Sequence, residues 1–186
     1  GGLRLALVVI GFAGFIAVVG MWEKAMISVY LIGVSVLIAS LIGIPIGIWA
    51  AGNERAHKVI QVVIDTMQTL PSFVYLIPVI MLFSIGDFSA MVAVVLYSIV
   101  PAIRFTDHGI RQVPPSLVEA ARAAGCSRFQ ILRKVQLPLA LPEIMLGVNQ
   151  TLMMGLSMLI ITALVGTRDL GQETLIALSR VDPDGA

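Results

Sequence analysis

PPSLVEAARAAGCSRFQILRKVQLPLALP, residues 114–142, carries the clearest signals for helix boundaries in the chain. It is the most polar long segment of a chain that is otherwise strongly apolar. Ser116-x-x-Glu119 and Ser127-x-x-Gln130 both have the spacing of a capping box, in which a Ser side chain and a later Glu or Gln side chain satisfy each other's backbone amides. The stretch is therefore predicted to contain two short helices.

Glycine and proline mark the ends of these two helices. The first helix is expected over Leu117–Ala124 and to end at Gly125, because glycine adopts the left-handed conformation after a helix without a steric penalty. The second is expected to end at Leu137-Pro138, since proline disfavours helical geometry in the residue before it. The prediction is a two-helix hairpin with a glycine elbow.

The overall composition predicts an all-α integral membrane protein. Of 186 residues, 58% are hydrophobic and 12% are charged, and the mean hydropathy is +0.98, whereas a soluble domain carries about 25% charged residues. The net charge of +1 gives no indication of nucleic-acid binding. A single Cys cannot form an internal disulfide, and His57 and His108 lack the spacing of metal ligands.

Apolar stretches alternate with polar ones and predict a polytopic helical bundle of about five spans. The clear spans are Leu5–Met21, Met26–Ala51 and Ile144–Gly166. Leu70–Ile85 and Phe88–Ile103 are shorter, and they fit either two tilted spans or a re-entrant hairpin. A further pattern in the chain, Asp65-x-x-Gln68, has the spacing of a cap for the helix that follows it.

Basic residues predict the orientation of the bundle. Short loops rich in Lys and Arg stay in the cytoplasm. Arg55 and Lys58 lie in one such loop, and six more basic residues lie in segment 104–143, namely Arg104, Arg111, Arg122, Arg128, Arg133 and Lys134. The hairpin is therefore expected on the cytoplasmic side, and the Gly86-Asp87 turn and residues 167–186 on the other.

Small residues recur at four-residue spacing in two of the spans, with Thr151 at the middle of the second ladder. Such ladders allow another helix to approach closely. The residues predicted to pack helices in this way are Ala39, Gly43, Gly47, Gly147 and Gly155.

The hairpin has two interpretations from its residues alone. Its first helix carries small Ala side chains that allow close docking, which suits insertion into the groove of a cytoplasmic partner. Alternatively, the hairpin packs on the protein's own helix ends. In either case Glu119 is expected to complete the capping box, and this local role is compatible with contact to a partner.

The hairpin also resembles a known family. Glu119-Ala120-Ala121, then Gly125 after three residues, then VQLP at 135–138 after nine more, is similar to the E-A-A-x3-G-x9-I-x-L-P motif of permease subunits of bacterial ABC importers. The one departure is Val135 in the Ile position. DxMQTxPxFVYLxP at 65–78, KVQLPLA at 134–140 and GVNQTLM at 147–153 further resemble the glycine betaine/proline/choline branch, and the resemblance covers about residues 26–179.

The resemblance implies a division of labour between subunits. Two permease subunits, expected to be a homodimer in the lipid bilayer, form the pathway. Cytoplasmic ATP-binding subunits, which hold ATP and Mg, receive the EAA helix, and an extracytoplasmic binding protein delivers the solute. The coupling residues carried over from the motif are Glu119, Ala120, Ala121, Gly125, Leu137 and Pro138.

For this chain, the resemblance implies a non-catalytic, multi-pass permease subunit of the bacterial cytoplasmic (inner) membrane. Residues 1–186 are expected to be one transmembrane permease domain, truncated at both ends, with residues 104–143 as its coupling segment. No phosphate-loop motif G-x-x-x-x-G-K-[ST] occurs, so ATP hydrolysis is assigned to the partner. No cofactor, metal site or catalytic residue is expected in the chain itself.

Polar side chains at membrane depth are candidates for the solute pathway, because such groups usually face a cavity or the bundle interior. Aromatic faces attract a quaternary ammonium group by about 0.5–2 kcal/mol each. Asn149 and Gln150 have an alternative role in hydrogen bonds between helices, worth about 0.6 kcal/mol, and the tyrosines an alternative role as interface anchors. The pathway candidates are Tyr75, Tyr97, Asn149, Gln150 and Thr151.

Two other classes of function are alternatives to the importer permease. An ion-coupled secondary transporter or channel for small polar solutes is the alternative, and it would place ionisable residues inside spans, where the clear spans contain none. An intramembrane enzyme is not supported, because neither H-E-x-x-H nor G-x-S-x-G occurs in the sequence.

Overall fold

The computed structural model describes residues 2–163 and residue 176, with the backbone alone for residues 3–5. Within residues 2–163 every regular element is a helix, which confirms the all-α class. The helices are α1 (Gly2–Val18), α2 (Trp22–Gly52), α3 (Glu54–Thr69), α4 (Phe73–Phe83), α5 (Asp87–Arg111), α6 (Pro115–Ala123), α7 (Arg128–Ile131) and α8 (Leu137–Thr162), and a π-helical turn (Leu132–Gln136) joins α7 to α8.

Among the described residues, three helices are long and apolar enough to cross a membrane: Trp22–Gly52, Asp87–Arg111 and the continuous unit Arg128–Thr162. The pair α3 and α4, bent by 93°, makes a fourth candidate, and α1 contributes a shorter apolar helix. The predicted polytopic bundle is confirmed, and the predicted count of about five spans is consistent with this set. The end of the last predicted span and residues 167–186 lie outside the described residues.

The two shorter apolar stretches, which fit either two tilted spans or a re-entrant hairpin, form two helices of unequal length. Phe88–Ile103 belongs to the full-length α5, whereas the preceding apolar stretch contains the 11-residue α4. The bend between α3 and α4 follows from Pro71, which holds Leu70 in an extended conformation (φ −74°, ψ 135°) and so ends α3.

The predicted cap at Asp65-x-x-Gln68 is wrong, because both residues lie inside α3. The helix is instead capped at its start by Asn53, whose Oδ1 accepts hydrogen bonds from the amides of Arg55 (3.0 Å) and Ala56 (3.4 Å). Asn is among the best N-cap residues because its side chain satisfies amides that lack a partner within the helix. The polar run after residue 52 therefore starts a helix.

The first predicted capping box is also wrong. α6 begins at Pro115, and its N-cap Pro114 makes no side-chain cap hydrogen bond. Proline is favoured at the first helical position because its fixed φ suits the helix and its missing N–H is unneeded there. Ser116 is consequently already inside the first turn.

The glycine elbow and the second capping box are present. Gly125 has a φ of +81°. Its amide donates to the carbonyl of Arg122 (2.9 Å), and the amide of Cys126 donates to the carbonyl of Ala121 (3.1 Å), which together form a Schellman motif. Ser127 and Gln130 then make the reciprocal bonds of a capping box at the start of α7.

The predicted helix end at Leu137-Pro138 is wrong, because the chain stays helical from residue 128 to residue 162. The π-helical turn precedes Pro138, and the amide of Leu137 donates to the carbonyl of Leu132. This wider turn accommodates the proline, which lacks a donor and crowds the preceding turn of an α-helix. Within predicted segment 104–143, residues 104–111 complete α5 and residues 137–143 begin α8, so residues 112–136 form the hairpin.

α5 lies at the centre of the bundle and runs parallel to α2. A Cβ placed on Gly43 would lie 2.8 Å from the Cβ of Ala102, and one placed on Gly47 would lie 2.6 Å from the Cβ of Thr106. Ala39 on the same face of α2 is fully buried. The first small-residue ladder therefore lies against α5, with the two backbones close together.

α8 packs on a different side of α5 from α2 and runs antiparallel to α5. A Cβ placed on Gly147 would lie 2.7 Å from the Cβ of Phe105. At Gly155 the contacts are looser, since the nearest atoms, on Val36 and Val94, are 3.5 Å away. α5 is thus held between α2 and α8, and its polar end lies next to the hairpin.

Candidate coupling hairpin and solute pathway

α6 is the exposed arm of the hairpin. None of its nine residues is buried. Glu119 and Ala120 are exposed, Ala121 is partly buried, and the elbow at Gly125 is exposed. The helix that carries the EAA residues therefore presents an open surface.

The second arm attaches the hairpin to the bundle. Ile131 of α7 is 4% exposed. Leu132 and Leu137 pack against a buried cluster of Ile110, Ala140 and Ile144. This cluster also receives Ile44, Ile48 and Ala51 from α2. We call it the hairpin seat. Of the remaining motif residues, Leu137 is partly buried in the seat and Pro138 is exposed.

A cavity of about 610 Å³ lies between the two arms and the helix ends. Ile48 and Ile110 contribute apolar walls, and Arg122 and Arg128 line it from the two arms. The second arm of the hairpin therefore packs on the protein's own helix ends, whereas the cavity separates the first arm from them.

The charge of the hairpin is strongly positive. Residues 112–136 contain one acidic residue, Glu119, and four basic ones, Arg122, Arg128, Arg133 and Lys134. All five side chains are exposed. The single acidic residue thus lies on α6 amid a basic surface.

A line of polar contacts joins α3 to α5 at the hairpin end of the bundle. We call it the α3–α5 seam. It consists of Glu54, His57, Gln61 and Asp65 on α3 and Arg104, Asp107 and Arg111 on α5. The pairs run in opposite directions along the two helices, as expected for antiparallel neighbours.

Asp107 is the centre of the seam and is 2% exposed. Its Oδ2 accepts hydrogen bonds from His57 Nδ1 (2.8 Å) and Gln61 Nε2 (3.2 Å), and its Oδ1 accepts one from Arg111 Nε (3.0 Å). A carboxylate is costly to bury unless it is hydrogen-bonded and paired. Because three donors surround it, this carboxylate meets that condition, and the His57 ring donates to it from Nδ1.

Arg111 extends the seam to a third helix. Its Nη1 donates to Glu54 Oε1 (2.5 Å), and its Nη2 donates to the carbonyl oxygen of Ala50 at the end of α2 (3.1 Å). Farther from the hairpin, Arg104 forms an ion pair with Asp65. The Glu54–Arg111 contact confirms that the two basic segments predicted to share a side of the membrane meet at one end of the bundle.

The seam was not predicted from the sequence. The residues after Ile103 were expected to form a loop, and the clear spans contain no ionisable residue, whereas α5 continues to Arg111 and carries buried Asp107. The spacing of His57, Gln61 and Asp65, four residues apart, was the available signal, because such residues share one face of a helix.

The pathway candidates fall into two groups. The rings of Tyr75 and Tyr97 meet edge to face, with centroids 5.8 Å apart at 72°, and the hydroxyl of Tyr75 donates to the carbonyl of Met67 across the α3–α4 bend. On α8, Thr151 is buried and its hydroxyl donates to the carbonyl of Gly147 (2.9 Å).

Asn149 and Gln150 lie on the exposed side of α8. The structure therefore brings the two tyrosines together. It places Thr151 on a different face of α8 from its two polar neighbours, because consecutive residues of a helix point about 100° apart.

Comparison with known proteins gives a consistent result. Residues 43–185 match the family described as binding-protein-dependent transport system inner membrane component. Over 167 residues the chain is 47% identical to the glycine betaine/proline betaine transport system permease protein ProW of Escherichia coli (strain K12), covering 90% of this chain and 47% of that protein.

A second relative and a solved structure extend the comparison. The chain is 46% identical over 186 residues to the trimethylamine N-oxide transport system permease protein TmoV of Pelagibacter ubique, covering 100% of this chain and 26% of that protein. The chain thus spans about half or less of the length of these two relatives. It also superposes on a chain of an inward-facing MetNI methionine ABC transporter structure with a TM-score of 0.74 and 25% identity, covering 82% of this chain and 78% of that one.

The apolar helices and these similarities describe a multi-pass protein of the bacterial inner membrane. The match covers most of the chain, including the hairpin, its seat and the seam. The chain belongs to the family of binding-protein-dependent transport system inner membrane components.

Proposed function

We propose that this chain is the transmembrane permease subunit of an ATP-driven importer for small compatible solutes of the glycine betaine, choline and proline type. In this proposal it forms the translocation pathway and couples to a separate cytoplasmic ATPase through α6. The observation that carries the proposal is the exposed EAA arm on a buried seat, because a partner requires a free surface and the bundle requires a fixed attachment.

The roles of the motif residues follow from their positions. Glu119, Ala120 and Ala121 form the docking surface, with the small side chains allowing the partner to approach closely. Gly125 sets the angle between the arms. Leu137 and Pro138 stand where the second arm becomes α8, so that a force on the hairpin passes directly into a spanning helix.

The partners of this subunit follow from the same proposal. They are an ATPase subunit that binds ATP and Mg, an extracytoplasmic solute-binding protein and a second copy of the permease. The named relatives carry glycine betaine, proline betaine and trimethylamine N-oxide. These solutes share a cationic nitrogen and an anionic oxygen. We extend this class to the present chain and propose that the Tyr75–Tyr97 pair lies along its path, since aromatic faces attract such cations.

Reconstitution tests the proposed function. The full-length protein is placed in liposomes with the ATPase and binding protein encoded beside it, and uptake of labelled glycine betaine is followed. We expect uptake that requires internal ATP and the binding protein and that is insensitive to dissipation of ion gradients. Uptake driven by an ion gradient without ATP would instead favour a secondary transporter.

A further inference from the structure

The hairpin seat and the α3–α5 seam are attached to the same short part of α5. Ile110 belongs to the seat, whereas the adjacent Arg111 and nearby Asp107 belong to the seam. Both sets of contacts therefore depend on the position of the last two turns of α5. Whatever displaces the hairpin seat displaces the α5 end of the seam with it.

We propose that Asp107 and its partners in the seam are positioning residues that transmit movement of the coupling hairpin to the bent α3–α4 pair. This inference rests on the proposed function, since the movement originates when the ATPase acts on α6. No role in coupling is assigned to the seam by the EAA motif, which lies wholly within residues 119–138.

The chemistry of the seam suits this task better than apolar contact alone. Apolar packing is non-directional, and farther along the helix Ile64 meets Val100 and Ile103 in this way. Asp107, by contrast, binds donors from both helices within 3.2 Å while almost fully buried. Sliding α3 along α5 would remove the two donors on α3, His57 and Gln61, from a buried carboxylate, which is strongly unfavourable. The seam therefore holds one register and obliges the two helices to move together.

The far end of α3 delivers this movement to the membrane interior. α3 ends at Thr69, and α4 continues after a 93° bend. The hydroxyl of Tyr75 on α4 donates to the carbonyl of Met67 on α3, so the bend is braced across its inside. A displacement of α3 at the seam consequently reaches the Tyr75–Tyr97 pair, which we have placed along the solute path.

The experiment measures solute taken up per ATP hydrolysed in proteoliposomes that contain the full-length permease, its ATPase and its binding protein. The first variant, Asp107→Asn, keeps the size of the side chain and removes its charge. The second set reverses the charges of the exposed Asp65–Arg104 pair. It consists of the single variants Asp65→Arg and Arg104→Asp and of the double variant that combines them. Lys58→Gln is the matched control, because it changes one charge on α3 outside the seam.

We expect Asp107→Asn and each single charge reversal to lower the ratio of solute taken up to ATP hydrolysed by between about two- and thirtyfold. This is the range by which substitutions in coupling networks change coupling. The double reversal restores the ratio, and Lys58→Gln leaves it unchanged. If the variants lower the thermal midpoint but keep the wild-type ratio, the seam is merely structural and the inference is overturned. If Asp107→Asn does not fold, the variants of the exposed Asp65–Arg104 pair still distinguish a coupling role from a structural one.

The same experiment separates the two proposals. Wild-type protein that fails to couple uptake to ATP would overturn the proposed function, and the inference with it. Wild-type protein that couples normally, together with seam variants that also couple normally, would overturn the inference alone.

Discussion

Across Gly125, the amide of Cys126 donates a 3.1 Å hydrogen bond to the carbonyl oxygen of Ala121. This bond closes α6 and requires the left-handed φ of +81° at the glycine. The angle between the exposed arm and the seated arm of the hairpin therefore depends on one residue.

Replacing Gly125 with Val is expected to destabilise the elbow by about 1–2 kcal/mol, because a left-handed conformation brings a Cβ against the following carbonyl. We expect the variant to hydrolyse ATP with reduced solute uptake per ATP, since α6 is presented at the wrong angle. Gly125→Asn is the matched control, because Asn tolerates the left-handed region. A Val variant with the uptake-to-ATP ratio of the Asn variant would contradict this account.

Charge reversal at Glu119 tests the docking surface. Glu119→Arg removes the one acidic side chain of a hairpin that otherwise carries four exposed basic residues. We expect weaker association with the ATPase, measured as its recovery when the tagged permease is purified from membranes. Glu23→Arg makes the same change at the start of α2 and should leave recovery unchanged. Equal recovery with both variants would argue against α6 as the docking arm.

Local sequence signals predicted the hairpin well where a single residue type decides the conformation. Gly125 and the Ser127–Gln130 box are such cases, because both depend on residues within one turn. The Ser116–Glu119 box is wrong because the helix begins at Pro115, two residues before the predicted start at Leu117. The end predicted at Pro138 failed because a π-helical turn accommodates the proline, which local propensity does not anticipate.

The seam was harder to predict because its contacts are distant in sequence. His57 and Asp107 lie 50 residues apart, and charged residues near a span end are ordinarily assigned to a loop. Only the packing of α3 on α5 brings the two polar faces together and buries Asp107. The apolar segments were found readily, since length and hydropathy alone identify them.

Gly47 and Gly155, one from each small-residue ladder, should differ in their tolerance of a methyl group. Gly47→Ala would place a Cβ 2.7 Å from the carbonyl oxygen of Ile103, a backbone atom that cannot turn aside. We expect a loss of about 1–3 kcal/mol of stability, as for other overpacked sites. Gly155→Ala meets nothing closer than 3.5 Å and should be neutral or stabilising, because Ala favours a helix by up to about 1 kcal/mol over Gly. Thermal unfolding in detergent measures the stability of both variants. Equal midpoints would contradict the packing described for α2 and α5.

The tyrosine pair offers a test of the solute path that separates ring from hydroxyl. If the ring of Tyr97 attracts the cationic nitrogen of a betaine during passage, Tyr97→Phe should retain the wild-type uptake rate. Tyr97→Leu should lower it by between about two- and thirtyfold, which corresponds to the roughly 0.5–2 kcal/mol of a cation–π contact. The rate is measured with saturating, solute-loaded binding protein, so that capture of solute does not limit it. Tyr30→Leu, at an exposed tyrosine of α2, controls for loss of an aromatic ring elsewhere. Equal uptake by the two Leu variants would remove Tyr97 from the path and leave it a packing residue between α4 and α5.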